Sequence, residues 1–136
     1  MPLLLDSDYA ELAERGIDYV EDEARRFLVL RNFLLPNGIY KGKTCDVLVI
    51  IPTNYNQAGI DMMWTHPHLT RLDGKGIPKM NKLGGGDNRT YDGKEYCRWS
   101  RHWNHPPVQW QAGKDNVATI IARIVWVLNN PDANKK

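Results

Sequence analysis

Sulfur is scarce in this chain of 136 residues: Cys45 and Cys97 are its only cysteines, they lie far apart, and no Cys-x-x-Cys pair occurs. That usage excludes a disulfide scaffold and gives no zinc framework. Long apolar runs are missing too. No stretch approaches the roughly 20 apolar residues a transmembrane helix needs, and Met1-Pro-Leu-Leu-Leu-Asp6 has no basic leader and too short an apolar run for a signal peptide. A cytoplasmic location is expected, where both thiols stay reduced. The net charge is only +2, short of the concentrated basic face that nucleic acid demands. Neither nucleic acid nor membrane is an expected partner.

What is present describes one ordinary globular domain over 1–136. Hydrophobic residues make up 42% and charged residues 25%, close to the average for folded proteins. A chain of this length buries about 68% of its unfolded surface, enough for a real core. No repeat or linker divides it.

Four segments stand out. Asp6 or Ser7 can cap a short helix through Tyr9, Leu12 and Ala13 that ends at Gly16. Next comes an antiparallel meander: Phe27–Leu35 and Cys45–Ile51 are rich in β-branched and large apolar residues, with Pro36-Asn37-Gly38 as the turn between them. Tyr19 and Val20 begin an earlier strand, Ile60–Thr65 reads as a later one, and Pro52 closes the strand before it. From Leu69 to Glu95 apolar residues thin out around Gly84-Gly85-Gly86, predicting a mostly irregular, mobile binding loop or lid. This stretch through Arg101 is locally basic, which suits a solvated surface or a docking face for an acidic partner. Last, Val117, Ile120, Ile121, Ile124 and Leu128 recur at spacings of three and four. They predict a helix capped by Asp115, ended by Asn129-Asn130-Pro131, with one apolar stripe facing a core. Strands followed by a packing helix make an α+β layer.

Three places can carry chemistry. Cys97 lies in Lys94-Glu-Tyr-Cys-Arg-Trp-Ser-Arg-His-Trp103, where Arg98, Arg101 and His102 would favour the nucleophilic thiolate; the plain alternative is a buried small hydrophobe. Cys45, beginning an apolar strand, reads as structural. His66-Pro67-His68 holds two imidazoles in a fixed relation, able to bind a metal or polarise a carbonyl, or simply to pack and donate a hydrogen bond. Ser100 and His102 form the minimal nucleophile and base, sharing a face if the segment is extended. Trp99, Trp103 and Trp110 read as packing residues.

Taken in order, these parts resemble the ubiquitin-conjugating (E2) fold. Residues 45–65 look like a strand, a Pro-x-x-Tyr corner (Pro52 to Tyr55) and a further short strand. His66-Pro67-His68 resembles the E2 His-Pro-Asn motif with its last member replaced, and Cys97 precedes tryptophans and a long helix as the E2 cysteine does. The Arg98-Trp-Ser-Arg-His-Trp103 string resembles prokaryotic E2 family E, and the likeness runs from about Tyr19 to Leu128. It implies an α+β, UBC-like antiparallel meander sheet with a short N-terminal helix and a long C-terminal helix packed on it. It also implies a bacterial E2-like acyltransferase, working with an E1-like activating enzyme, a ubiquitin-like modifier, a protein substrate and a JAB-type peptidase. The leading expectation is a thioester on Cys97 passed to an amine, with His68, a backbone N–H, Asn88 or Asn104 supporting the oxyanion. An oxyester on Ser100 with His102 as base is the variant. A catalytically silent E2 variant that binds a ubiquitin-like protein or E1 is the alternative. No cofactor is implied, because ATP-driven activation belongs to the E1.

Overall fold

The structure, a computed structural model, describes residues 2–103 and 109–132. Helix α1 (Asp6–Glu14) precedes strands β1 (Tyr19–Asp22), β2 (Phe27–Leu34), β3 (Thr44–Ile50), β4 (Met63–His66), β5 (Arg89–Tyr91) and β6 (Lys94–Trp99), and helix α2 (Val117–Asn129) closes the chain. The six strands form one antiparallel sheet in the order β1-β2-β3-β4-β6-β5. A meander therefore runs through β4, after which the β5–β6 hairpin adds β6 beside it.

Both faces of this sheet are dry, so Phe27 to Leu30 are buried without alternation, as strands covered on both sides require. On the helix face, Leu28, Leu30, Val47, Val49, Met63 and Trp99 pack with Leu12 of α1 and with Val117, Ile120, Ile121, Ile124 and Leu128 of α2. The predicted apolar stripe is the helix's buried face. On the other face Phe27, Val29, Leu48, Trp64 and Tyr96 make a second cluster, closed by curling of the sheet. Arg25 lies over Phe27 at 4.7 Å and Tyr91 at 5.8 Å and donates to the Thr90 carbonyl at 2.9 Å, tying the β1–β2 end to β5.

Details of the caps differ from expectation. Leu5 occupies the N-cap of α1, and Asp8 accepts the Leu5 N–H at 3.1 Å through one oxygen and the Val117 N–H at 3.0 Å through the other. One buried carboxylate thus serves the first turns of both helices, a favourable placement at their positive ends. Asn116 rather than Asp115 caps α2, accepting the Ala118 N–H at 2.9 Å, while Asp115 turns back to the Gln111 N–H at 2.7 Å. Gly16 does follow α1 with φ +67°, in the left-handed region. At Gly59 a Cβ would stand 2.2 Å from the Trp110 ring, so only glycine lets that indole seat.

The segment from 69 to 95 is more ordered than its composition suggests. It contributes all of β5 and the start of β6, and isolated bridges join Tyr40 to Arg71 and Met80 to Trp99. The apolar signal was weak because its ordering comes from backbone pairing and side-chain amides rather than from burial.

Candidate active site

Strand β6 and the residues after it decide which side chains are presented and which are hidden. Trp99, Arg101 and Trp103 are each fully buried, while Ser100 is partly exposed and His102 exposed. The Arg101 N–H returns to the Trp99 carbonyl at 2.8 Å, a tight turn centred on Ser100. Ser100 and His102 are the two less buried positions of this stretch, and Arg101 fastens the chain between them. The Arg101 guanidinium donates to the carbonyls of Pro131 at 2.5 Å and Pro78 at 3.0 Å, clamping the end of α2 to the loop before β5.

Cys97 faces inward. It pairs with Thr65 across the sheet and has 0% of its surface exposed. Asn88 covers it, with Nδ2 lying 3.9 Å from Sγ and also donating to Glu95 Oε2 at 2.7 Å and to the Lys82 carbonyl at 3.0 Å. Asn88 Oδ1 accepts the Arg98 N–H at 3.0 Å, and Glu95 Oε2 accepts the Gly84 N–H at 2.7 Å. The triglycine loop is thereby latched over the sulfur.

The expected activation of this thiol is overturned. Burial, with the neighbouring Glu95 charge adding to it, pushes the Cys97 thiol up, because desolvation disfavours the thiolate. None of the three expected cations acts on it. Arg98 is spent on Asp87 at 3.0 Å, Arg101 on main-chain carbonyls and His102 on Asp61. Arg98, adjacent in the strand, points to the opposite face, and Arg101, buried like Cys97, reaches the Pro78 and Pro131 carbonyls instead. Cys45 is sealed as well, 2% exposed, its thiol pushed up by burial to about 12.

The outward pair has what the thiol lacks. His102 Nδ1 lies 2.9 Å from Asp61 Oδ2, with the side chains 50% and 42% exposed. The Trp103 N–H donates to the Asp61 carbonyl at 2.9 Å, fixing the two segments together. A carboxylate at Nδ1 orients the ring and directs Nε2 away from it, the arrangement of a base held by a third group. Asp61 was not singled out in the sequence; the only signal was an acidic residue entering an apolar strand run. The Ser100 N–H is held by the Lys79 carbonyl at 2.7 Å.

The two motif histidines separate in role. His66 ends β4, its Nδ1 3.0 Å from the Glu95 carbonyl and its ring 5.4 Å from that of Tyr96. It is a packing residue. His68 instead lines a groove of about 290 Å³ with Lys41, Arg71, Lys75, Ile77 and Lys82 among its walls. Met80, also in that wall, bridges to Trp99, one residue before Ser100. Groove and serine thus share one stitched segment. Among the described residues no group of three or more His, Cys, Asp or Glu side chains is placed to hold a metal. Asn104 and His105 lie outside the described residues.

A family model, prokaryotic E2 family E, matches residues 4–131. The chain belongs to prokaryotic E2 family E. That match covers both helices, the whole sheet and the groove, and extends the likeness beyond Tyr19 and Leu128. No curated protein and no solved structure matches the chain. Family E membership associates it with E2-like conjugation of ubiquitin-like proteins, and so with an E1-like enzyme and a ubiquitin-like modifier as classes of partner. No described helix of this family E protein is long and apolar enough to cross a membrane.

Proposed function

We propose that this family E protein carries the C-terminal acyl group of a ubiquitin-like modifier as an oxyester on Ser100, with His102 as general base and Asp61 as the residue that positions it. The observation that carries this reading is the contrast within one short segment: a partly exposed serine two residues from a carboxylate-held imidazole, and a buried thiol beneath Asn88.

In the step so described, Ser100 Oγ attacks the thioester carbonyl presented by an E1-like enzyme while His102 takes the hydroxyl proton. The C–O bond forms, the C–S bond breaks, and the departing E1 thiolate recovers the proton from the imidazolium. An amine of a protein substrate then attacks the ester, releasing the serine hydroxyl and leaving an amide. No metal or nucleotide enters at this chain. A JAB-type peptidase would reverse the final bond.

A trapping assay with the E1-like enzyme, ATP and modifier tests this. The expected adduct survives thiol reductant, is cleaved by hydroxylamine, and disappears in Ser100→Ala. A thiol-labile adduct lost in Cys97→Ser would establish the thioester instead. Conjugation that survives both substitutions would identify a silent E2 variant.

A further inference from the structure

The groove beside His68 has a charge pattern that the proposed acyl transfer does not itself require. Lys41, Lys75 and Lys82 stand on its walls, and no acidic residue does. The fourth cation, Arg71, is more than offset by two carboxylates, Asp132 at 2.6 Å and Asp73 at 2.7 Å: Arg71 holds Asp132 below the usual range, and the Lys75 backbone N–H followed by Arg71 does so for Asp73. Lys41, Lys75 and Lys82 make no salt bridge among the described residues, although Lys75 adds a weaker pull on the same two carboxylates. Leu69, Ile77 and Met80 line the same groove. Lysines that outnumber the carboxylates near a groove also lined by apolar side chains give a field that attracts anions.

The position matters as much as the sign. The Lys41 N–H is fixed to the Thr70 carbonyl at 3.0 Å at one wall, and the 79–81 segment that carries the opposite wall is bonded to Arg98 and Ser100. The wall that carries Met80 is thus joined by main-chain bonds to the residues on either side of Trp99. Resting on the Ser100 reading above, we infer that this groove selects an acidic, extended peptide tail, with Asp or Glu side chains facing Lys41, Lys75 and Lys82 and an apolar residue against Ile77 and Met80, as the segment preceding the modifier's terminal glycine.

The test uses two synthetic octapeptides ending in Gly-Gly, one carrying four Asp or Glu residues and one with Lys at the same positions. Each is made as a free acid and as an alkyl thioester. The acidic free acid should bind the full chain at 50 mM salt at least tenfold more tightly than its basic counterpart, and weaken at least tenfold by 500 mM salt as the charges are screened. The Lys41→Glu/Lys75→Glu/Lys82→Glu protein, checked for an unchanged thermal transition, should reverse the preference. Equal binding of both peptides to the wild type overturns the inference without any variant being needed. The thioester arm separates the two readings. Ser100-dependent acylation with no charge preference sinks the groove assignment alone; charge-dependent binding with no acylation supports the groove and sinks the oxyester.

Discussion

Positions 97 and 100 are three residues apart and occupy opposite worlds. At 97 the side chain is buried beneath the Asn88 amide and desolvation pushes its thiol up; at 100 the side chain is partly exposed, two residues before the imidazole that meets Asp61. In the proposed reading the chemical rank of the two side chains, thiol above hydroxyl as a nucleophile, is inverted by access. A reactive group is defined by access and a partnered base, and intrinsic reactivity ranks only groups that share those.

The sharpest way to break this comparison is at the base. His102→Ala should slow Ser100 acylation by roughly 10²–10⁴-fold, the usual worth of a general base, while leaving the unfolding transition in place because the ring is half exposed. A loss of less than threefold in a single-turnover assay would remove His102 from the mechanism. Asp61→Asn should lower the same rate by a smaller factor, read in the same single-turnover assay, because the amide keeps a contact to the ring without the carboxylate charge.

Next in size is the clamp beneath the pair. Arg101→Met removes the donors to Pro78 and Pro131 and leaves buried carbonyls unpartnered, which should cost about 2–3 kcal/mol; urea unfolding reads it directly. A third substitution sharpens the other half of the comparison. Asn88→Ala should speed labelling of Cys97 by a disulfide reagent about tenfold relative to Cys45, since it releases the amide that ties the loop to Glu95 and covers the sulfur. An unchanged ratio would mean the seal lies elsewhere.

The smallest effect is that of pH on the latch. Hydrogen bonds from Asn88 and the Gly84 N–H, the former the larger, hold the Glu95 carboxyl below its ordinary 4.5. A carboxyl lowered on folding stabilises the fold above the unfolded value and loses that contribution as pH falls through the folded one. The stability gap between wild type and Glu95→Gln should therefore be present at pH 7 and close in the acid range below 4.5.

Much of the scaffold could be read from residue patterns. The apolar stripe of α2 and the β2 and β3 runs announced themselves because burial dictates periodicity, and the Arg98–Trp103 string led to the correct family. The chemistry was less legible. The cationic string around Cys97 looked activating in one dimension, yet each cation has another partner: Asp87 for Arg98, main-chain carbonyls for Arg101 and Asp61 for His102. The partner of His102 comes from Asp61, across the fold, and no spacing rule connects them. Likewise the Asn88 latch depends on a hairpin whose strands are held by backbone pairing, which composition does not encode.

Asp8 has a consequence for how the molecule comes apart. Because a single carboxylate receives the amides of Leu5 and Val117, the two extremities of the described chain are knotted through one side chain. Trimming the leading helix would strip the closing one of a contact it has no local means to replace. Loss of α1 should therefore loosen the first turn of α2 as well.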